Sequence, residues 1–233
     1  MTSPRMFPAP MEARPETPVS ASLGNRELQR ALAEKTTLLH EVDHRVKNNL
    51  QLISSLLLLQ TRRTDDAAVK CALRSAQARV NAVAIVHRRL FQGDDPHLFD
   101  LSAFLRDMVG DVVGGSGRAD IRATLALEPI RLPASHAAAL ALLVGEVLEN
   151  IVRHAFPDGR PGRLNVSVTH NAGEVWIEIT DDGVGMAIAG NPSGFGGTIV
   201  KLLSQQLHAR IETADASPGL RTLIRLPLSE TTE

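Results

Sequence analysis

The sequence predicts an α+β protein in two parts, a two-helix hairpin followed by an α/β sandwich. Three observations predict it. Apolar residues recur at three- and four-residue steps through residues 26–63, with Leu39, Val42, Val46, Leu50, Ile53 and Leu57 on one stripe. A second helical stretch at 66–92 follows after a short polar break. Beyond residue 98 the pattern changes, and VWIEIT at 175–180 alternates as a half-buried strand does.

Taken in order, residues 1–25 are rich in Pro, Ser and Thr and lack apolar periodicity, which predicts a disordered tail. Residues 26–95 are the hairpin. TRRTDD at 61–66 is its break and carries a cap, Leu73, Val80, Val83, Ala84 and Val86 mark the second helix, and GDDP at 93–96 ends it. The first helix turns apolar all round at ISSLLLL, 53–59. One partner helix cannot cover that surface. A second copy of the hairpin would, as a four-helix bundle; packing on the second domain is the other solution.

The second domain occupies 98–229. A helix at 101–113 leads into GGSG at 114–117, a connector, because a phosphate loop needs a strand before it and Lys-Ser/Thr after it. A strand at 121–127, a helix at 135–154 and two strands at 164–170 and 175–180 follow, the strands joined through Asn171-Ala172-Gly173. A Gly-rich stretch, a helix at 198–207 and strands at 211–214 and 220–226 complete the layers.

Composition excludes several function classes. Among 233 residues, 25 Lys and Arg balance 26 Asp and Glu, so no global field draws the chain to nucleic acid or anionic membrane. Aromatics are 3% with no Tyr, too few for base-stacking platforms. No uninterrupted apolar run approaches the ~18 residues of a membrane span, and the N-terminus has no signal-peptide core. Cys71 is the single cysteine, read as a thiol in a reducing compartment. The expectation is a cytoplasmic protein without nucleic-acid or membrane partners.

Candidate chemistry lies in both parts. His44 points about 160° away from the apolar stripe, so a solvent-facing imidazole is predicted, with a ring nitrogen free to act as nucleophile. Arg45, Lys47, Asn48 and Asn49 beside it are phosphate-friendly donors. In GEVLENIVRHAF, Glu146, Asn150 and His154 recur every fourth residue on one helical face. An Asn carbonyl suits Mg²⁺, and Glu146 is placed to polarise a water or ligand. Asp181 ends a strand before Gly183 and Gly185; its carboxylate can accept an adenine amino hydrogen while glycine lets the backbone approach the ring. Gly194, Gly196 and Gly197 precede a helix whose N–H groups favour phosphate. Thr222 lies on the last strand, within reach of the same site. Each motif is also an ordinary loop or surface feature; their order and spacing are what point to a nucleotide site.

In that order the sequence resembles the sensor histidine kinases, of the HWE type or its close sister group, from about Leu38 to Pro227. EVDHRVKNNLQLISSLL resembles the phosphoacceptor box, EVLENIVRHAFP the N box, DDGVG the G1 box and GFGG the G2 box. Trp176 and Glu178 resemble the W-x-E element, while Gly145 stands where HWE members carry a histidine. The resemblance implies a dimerisation and phosphotransfer hairpin followed by a Bergerat-type ATP-binding domain, His44 as phosphorylated residue, Asn150 as Mg²⁺ ligand and Asp181 as adenine-binding carboxylate. It implies ATP and Mg²⁺ as cofactors, a homodimer, and a response-regulator receiver domain whose Asp takes the phosphoryl group. Asn48, one turn after His44, is placed to hold a water for the reverse phosphatase reaction. The family carries a sensory domain before the hairpin, where this sequence has the short tail, so the expected input is a separate sensor protein, the tail, or none. Two other readings stand beside this one: a phosphotransfer or adaptor protein with a degenerate ATP pocket that does not hydrolyse ATP, and a Bergerat-class kinase acting on serine.

Overall fold

The computed structural model describes residues 18–92, 95, 97–185 and 195–228. The expected tail to residue 17, most of GDDP, and Gly194 lie outside them. The chain divides into two compact units, Met1–His44 and Arg45–Glu233.

Helix α1 spans Pro18–Arg63. It starts eight residues before the predicted start at 26, so 18–25 are helical rather than part of a disordered tail. Proline at the first helical position supplies a fixed φ and needs no N–H partner there. Apolar periodicity marks only helices with a packed face, so it could not report this turn. Helix α2 is Ala67–Gln92. Asp66 caps it, its Oδ1 accepting from the N–H groups of Ala68 at 2.8 Å and Val69 at 3.1 Å. Ser54 of α1 donates to Asn81 of α2 at 3.2 Å.

The second domain begins with β1, Leu98–Asp100, and α3, Leu101–Gly115, whose N-cap Asp100 accepts from Ala103 N–H at 2.8 Å. Strand β2 is Ile121–Leu127, β3 is Arg131–Pro133 and α4 is Ala134–His154. Strands β4, Gly162–Asn171, and β5, Glu174–Asp181, form the expected hairpin. Its two-residue turn has positive φ at both Ala172 and Gly173, the conformation whose twist matches the strands. Helix α5, Phe195–Gln206, and strands β6, Arg210–Asp215, and β7, Leu220–Pro227, follow.

The five-stranded sheet runs β2-β4-β5-β7-β6. Its β2–β4 pair is parallel and the other three are antiparallel. The antiparallel ribbon of β1 and β3 was not predicted; three residues per strand are too few to show alternation. Alternate residues of the central strands, among them Val166, Val168, Val175, Ile177, Ile179, Ile224 and Leu226, are buried with Phe104, Leu105 and Met108 of α3 and Leu140, Leu143, Val144 and Leu148 of α4.

Helix α4 is also long and apolar enough on average to pass as a membrane span, although no uninterrupted apolar run suggests one. Its apolar residues are accounted for by the domain core they occupy.

Helix α2 packs on α4, with Ala82, Ile85 and Val86 buried in the same core. Burying Ile85 and Val86 contributes about 1.5–3 kcal/mol each. Gly145 lies in this seam: a Cβ there would stand 3.8 Å from that of Ala82. Packing on the second domain therefore covers part of the hairpin, but not the apolar run of α1. Leu52, Ile53, Leu56, Leu58 and Leu59 stay 40–61% exposed.

Candidate active site

Asp181 ends β5 on the helix-facing side of the sheet and is 2% exposed. Its Oδ1 accepts from the N–H of Gly183 at 2.9 Å, and the N–H of Leu220 also supports the carboxylate. Its Oδ2 is buried and has no hydrogen-bond partner among the described residues. Burial pushes the carboxyl up from its ordinary range, against both N–H donors. A buried acceptor left open on one oxygen is built for a donor from outside the chain.

Glycines bring the surrounding backbone onto this group. A Cβ at Gly183 would overlap the carbonyl oxygen and Cβ of Ala155, just past the end of α4. Val184 N–H donates to that carbonyl at 2.9 Å. The last turns of α4 and the end of β5 are thereby joined. Gly185 has φ +73, and a Cβ there would come 3.3 Å from the carbonyl of Gly219. Thr222 pairs with Ile179 across β5–β7, buried on the same face as Asp181.

A polar brace stands behind the strand end. Asp182 accepts from Arg163 N–H at 2.6 Å and returns its own N–H to the Arg163 carbonyl at 3.2 Å. Arg160 donates to the Asp182 carbonyl at 3.0 Å. Arg118, just after the GGSG connector, donates to the carbonyls of Phe156 at 2.9 Å and Arg160 at 2.8 Å while paired with Asp120 at 2.7 Å. Sequence reasoning gave these arginines no role, since each acts on backbone atoms far along the chain.

On α4, Glu146 is buried, whereas Asn150 and His154 are exposed. Glu146 Oε1 lies 2.6 Å from Nε of Arg79 of α2. Its Oε2 faces the start of α5, 2.9 Å from where a Cβ on Gly196 would stand. Partial burial, then the charge of Arg153, lowers the His154 pKa, so this imidazole is neutral at pH 7. Gly197 follows in the first turn of α5. Asp181, Gly183, Gly185, Thr222, Glu146 and Gly196 are thus tied together by direct contact, by register or through α4. On α1, His44 is exposed, as predicted, and Asn48 is exposed.

Trp176 and Glu178 point the other way. Strand alternation puts them on the face of β5 opposite Asp181, where Arg225 lies 4.8 Å over the Trp176 ring and Arg221 pairs with Glu178 at 2.8 Å. Cys71 is exposed on α2 and accepts from Arg153 at 3.3 Å.

Two family models match this arrangement. Residues 41–114 match the histidine kinase domain HisKA_2, and residues 135–230 match the histidine kinase-, DNA gyrase B- and HSP90-like ATPase domain. The chain belongs to the histidine kinase family, with the hairpin domain of the HWE type. Among this family, sensor histidine kinase PdtaS of Mycobacterium tuberculosis is 31% identical over 212 residues, 85% of this chain and 41% of the relative. Blue-light-activated histidine kinase 2 of Erythrobacter litoralis is 27% identical over 220 residues, 91% of this chain and 63% of the relative. The chain therefore spans less than two thirds of the length of either. The solved histidine kinase domain of the Erythrobacter litoralis EL346 blue-light activated histidine kinase shares the fold, with TM-score 0.61 and 22% identity over 77% of this chain and 97% of that one.

The residues fit a histidine kinase's nucleotide and metal. The open Oδ2 of Asp181 is free to accept an amino hydrogen. Asn150 offers an exposed hard oxygen of the kind Mg²⁺ takes. No group of three or more His, Cys, Asp or Glu gathers as a metal site among the described residues.

Proposed function

We propose that this chain is a cytoplasmic histidine kinase that transfers the γ-phosphoryl group of ATP to His44 and then to an Asp of a response-regulator receiver domain. The observation that carries the reading is the buried, unpartnered Oδ2 of Asp181, at a strand end onto which Gly183 and Gly219 let the neighbouring backbone pack. It accepts the adenine amino hydrogen, and Thr222 stands on the same face. The N–H groups at the start of α5, with Gly196 and Gly197, receive phosphate oxygens, and Gly194 belongs to the same G2 motif.

Mg²⁺, held through Asn150 and the phosphates, would neutralise charge developing on the bridging oxygen. A ring nitrogen of exposed His44 attacks the γ-phosphorus, forming a P–N bond. The Pγ–O bond breaks, its electron pair leaves on ADP, and the imidazole proton passes to solvent. Glu146 orders the site and His154, neutral, stands at the end of the same face. In the second step the receiver carboxylate displaces the histidine nitrogen. Asn48 places the water that removes the phosphoryl group again from the receiver. Most of the rate enhancement is positioning and charge neutralisation.

The exposed apolar run of α1, Leu52 to Leu59, supports a homodimer through the hairpin.

The test is incubation of the full chain with γ-labelled ATP and Mg²⁺ beside His44→Ala. Acid-labile label present in the first and absent in the second is expected. Acid-stable label would point to a serine kinase instead, and label retained in His44→Ala would overturn the acceptor. A folded protein that binds no nucleotide would be an adaptor.

A further inference from the structure

Glu146 is held by a group from outside the ATPase-type domain. Arg79 belongs to α2 of the hairpin, 67 positions earlier, and its Nε stands 2.6 Å from Glu146 Oε1. Both side chains are shielded, at 21% and 10% exposure. The contact sits in the seam where Ala82, Ile85 and Val86 are buried and where Gly145 faces Ala82. A second tether lies two turns along α4, where Arg153 donates to Ser75 at 3.1 Å and Cys71 at 3.3 Å. Arg79 thus reaches Glu146 because α2 lies on α4.

The other oxygen of Glu146 looks toward α5, with the Cβ position of Gly196 2.9 Å away. One buried carboxylate therefore connects the hairpin helix, the N-box helix and the first turn of the G2 helix. A guanidinium at charge-assisted hydrogen-bond distance holds that carboxylate in one orientation.

We propose that Arg79 is a positioning residue for phosphoryl transfer, supplied by the hairpin: it holds Glu146 in one orientation, aimed at the first turn of α5, so the site is complete only while α2 lies on α4. This rests on the kinase reading above. It makes docking of the hairpin a condition of catalysis as well as of stability.

The experiment compares the full chain with Arg79→Gln and Arg79→Lys. ADP affinity with Mg²⁺ is read by calorimetry, and acid-labile label is followed in single turnover at saturating ATP, in the single variants and in Arg79→Gln/Glu146→Gln. Arg79→Gln is expected to bind ADP within about threefold of the parent and to transfer at least about tenfold more slowly. Arg79→Lys is expected to recover most of the rate. Arg79→Gln/Glu146→Gln is expected to be about as slow as the slower single variant, because the two groups act through one contact. An unchanged rate in Arg79→Gln, additive losses in the double variant, or parallel loss of ADP affinity and rate would each overturn the proposal. A parent chain that transfers nothing overturns the kinase reading and this one with it, whereas an active parent with an unaffected Arg79→Gln overturns this one alone.

Discussion

Gly219, in the β6–β7 turn, lies against the main chain of Asp181. A Cβ at 219 would fall on the Asp181 carbonyl oxygen and stand 2.9 Å from the Cα of Asp182. The N–H of the next residue, Leu220, favours the charged form of the Asp181 carboxyl. The turn therefore packs directly on the backbone of this acceptor.

Gly219→Ala is expected to damage stability and binding at once. Its φ of +99 is a conformation L side chains avoid, and the added methyl meets backbone that cannot rotate away. Strain and overpacking together cost at least about 2 kcal/mol. Urea denaturation should show that loss, and calorimetry should show ADP affinity falling at least about tenfold under conditions where the variant is still folded.

Asp181→Asn should separate binding from stability. The Asp181 carboxyl has its folded pKa raised by burial. Between its ordinary range and the raised folded value the native state binds more protons than the unfolded chain. Stability therefore falls as pH rises through that window, and the loss is complete above the folded pKa. An amide carries no charge to bury, keeps an oxygen for Gly183 N–H, and turns an NH₂ toward the nucleotide's amino group. The variant is expected to be at least as stable as the parent at pH 7, with a flatter pH profile, and to lose ADP affinity. Denaturation across pH and calorimetry read the two effects.

The site was legible where chemistry is encoded locally. Asp181 closes an alternating strand, Glu146 and Asn150 share a helix face, and the glycines stand beside both; each is visible within ten residues. His44 was legible by its angle from the apolar stripe. What pattern could not reveal is distant in sequence. Arg79 meets Glu146 across 67 positions, Arg118 braces Phe156 and Arg160 through their carbonyls, and Gly219 matters only because β7 pairs with β5. The W-x-E pair shows the converse: motif resemblance drew attention to Trp176 and Glu178, while strand alternation puts them on the opposite face from Asp181. The short β1–β3 ribbon and the first turns of α1 escaped because neither carries a periodic apolar face.

His208 closes α5 in a conformation that suits glycine. Its φ is +51, and the Ala209 N–H reaches back to the Ser204 carbonyl at 2.8 Å, the bond of a Schellman ending. The His208 side chain is exposed, so its loss removes no core contact. His208→Gly is expected to stabilise the fold by about 0.5–1 kcal/mol by relieving the left-handed strain. The midpoint of urea denaturation should rise with an unchanged slope, and ADP affinity should stay where it is.

Asn150 is exposed on α4, one turn beyond buried Glu146 and before exposed His154. The role proposed for it is to hold Mg²⁺ rather than to pack. Asn150→Ala is therefore expected to change stability by no more than about 0.5 kcal/mol, the usual range for an exposed site. Its effect should appear when Mg²⁺ is varied. The parent's affinity for ADP should rise with Mg²⁺, because the metal links the phosphates to the amide oxygen. In Asn150→Ala the affinity should be nearly the same with and without the ion, and close to that of the metal-free parent, since the adenine contacts at Asp181 are intact. Calorimetric titrations of ADP into both proteins, in Mg²⁺ and in chelator, give the four affinities needed. A variant that keeps the full Mg²⁺ gain would remove Asn150 from the metal site and leave the hard-oxygen ligand to be sought elsewhere on the chain.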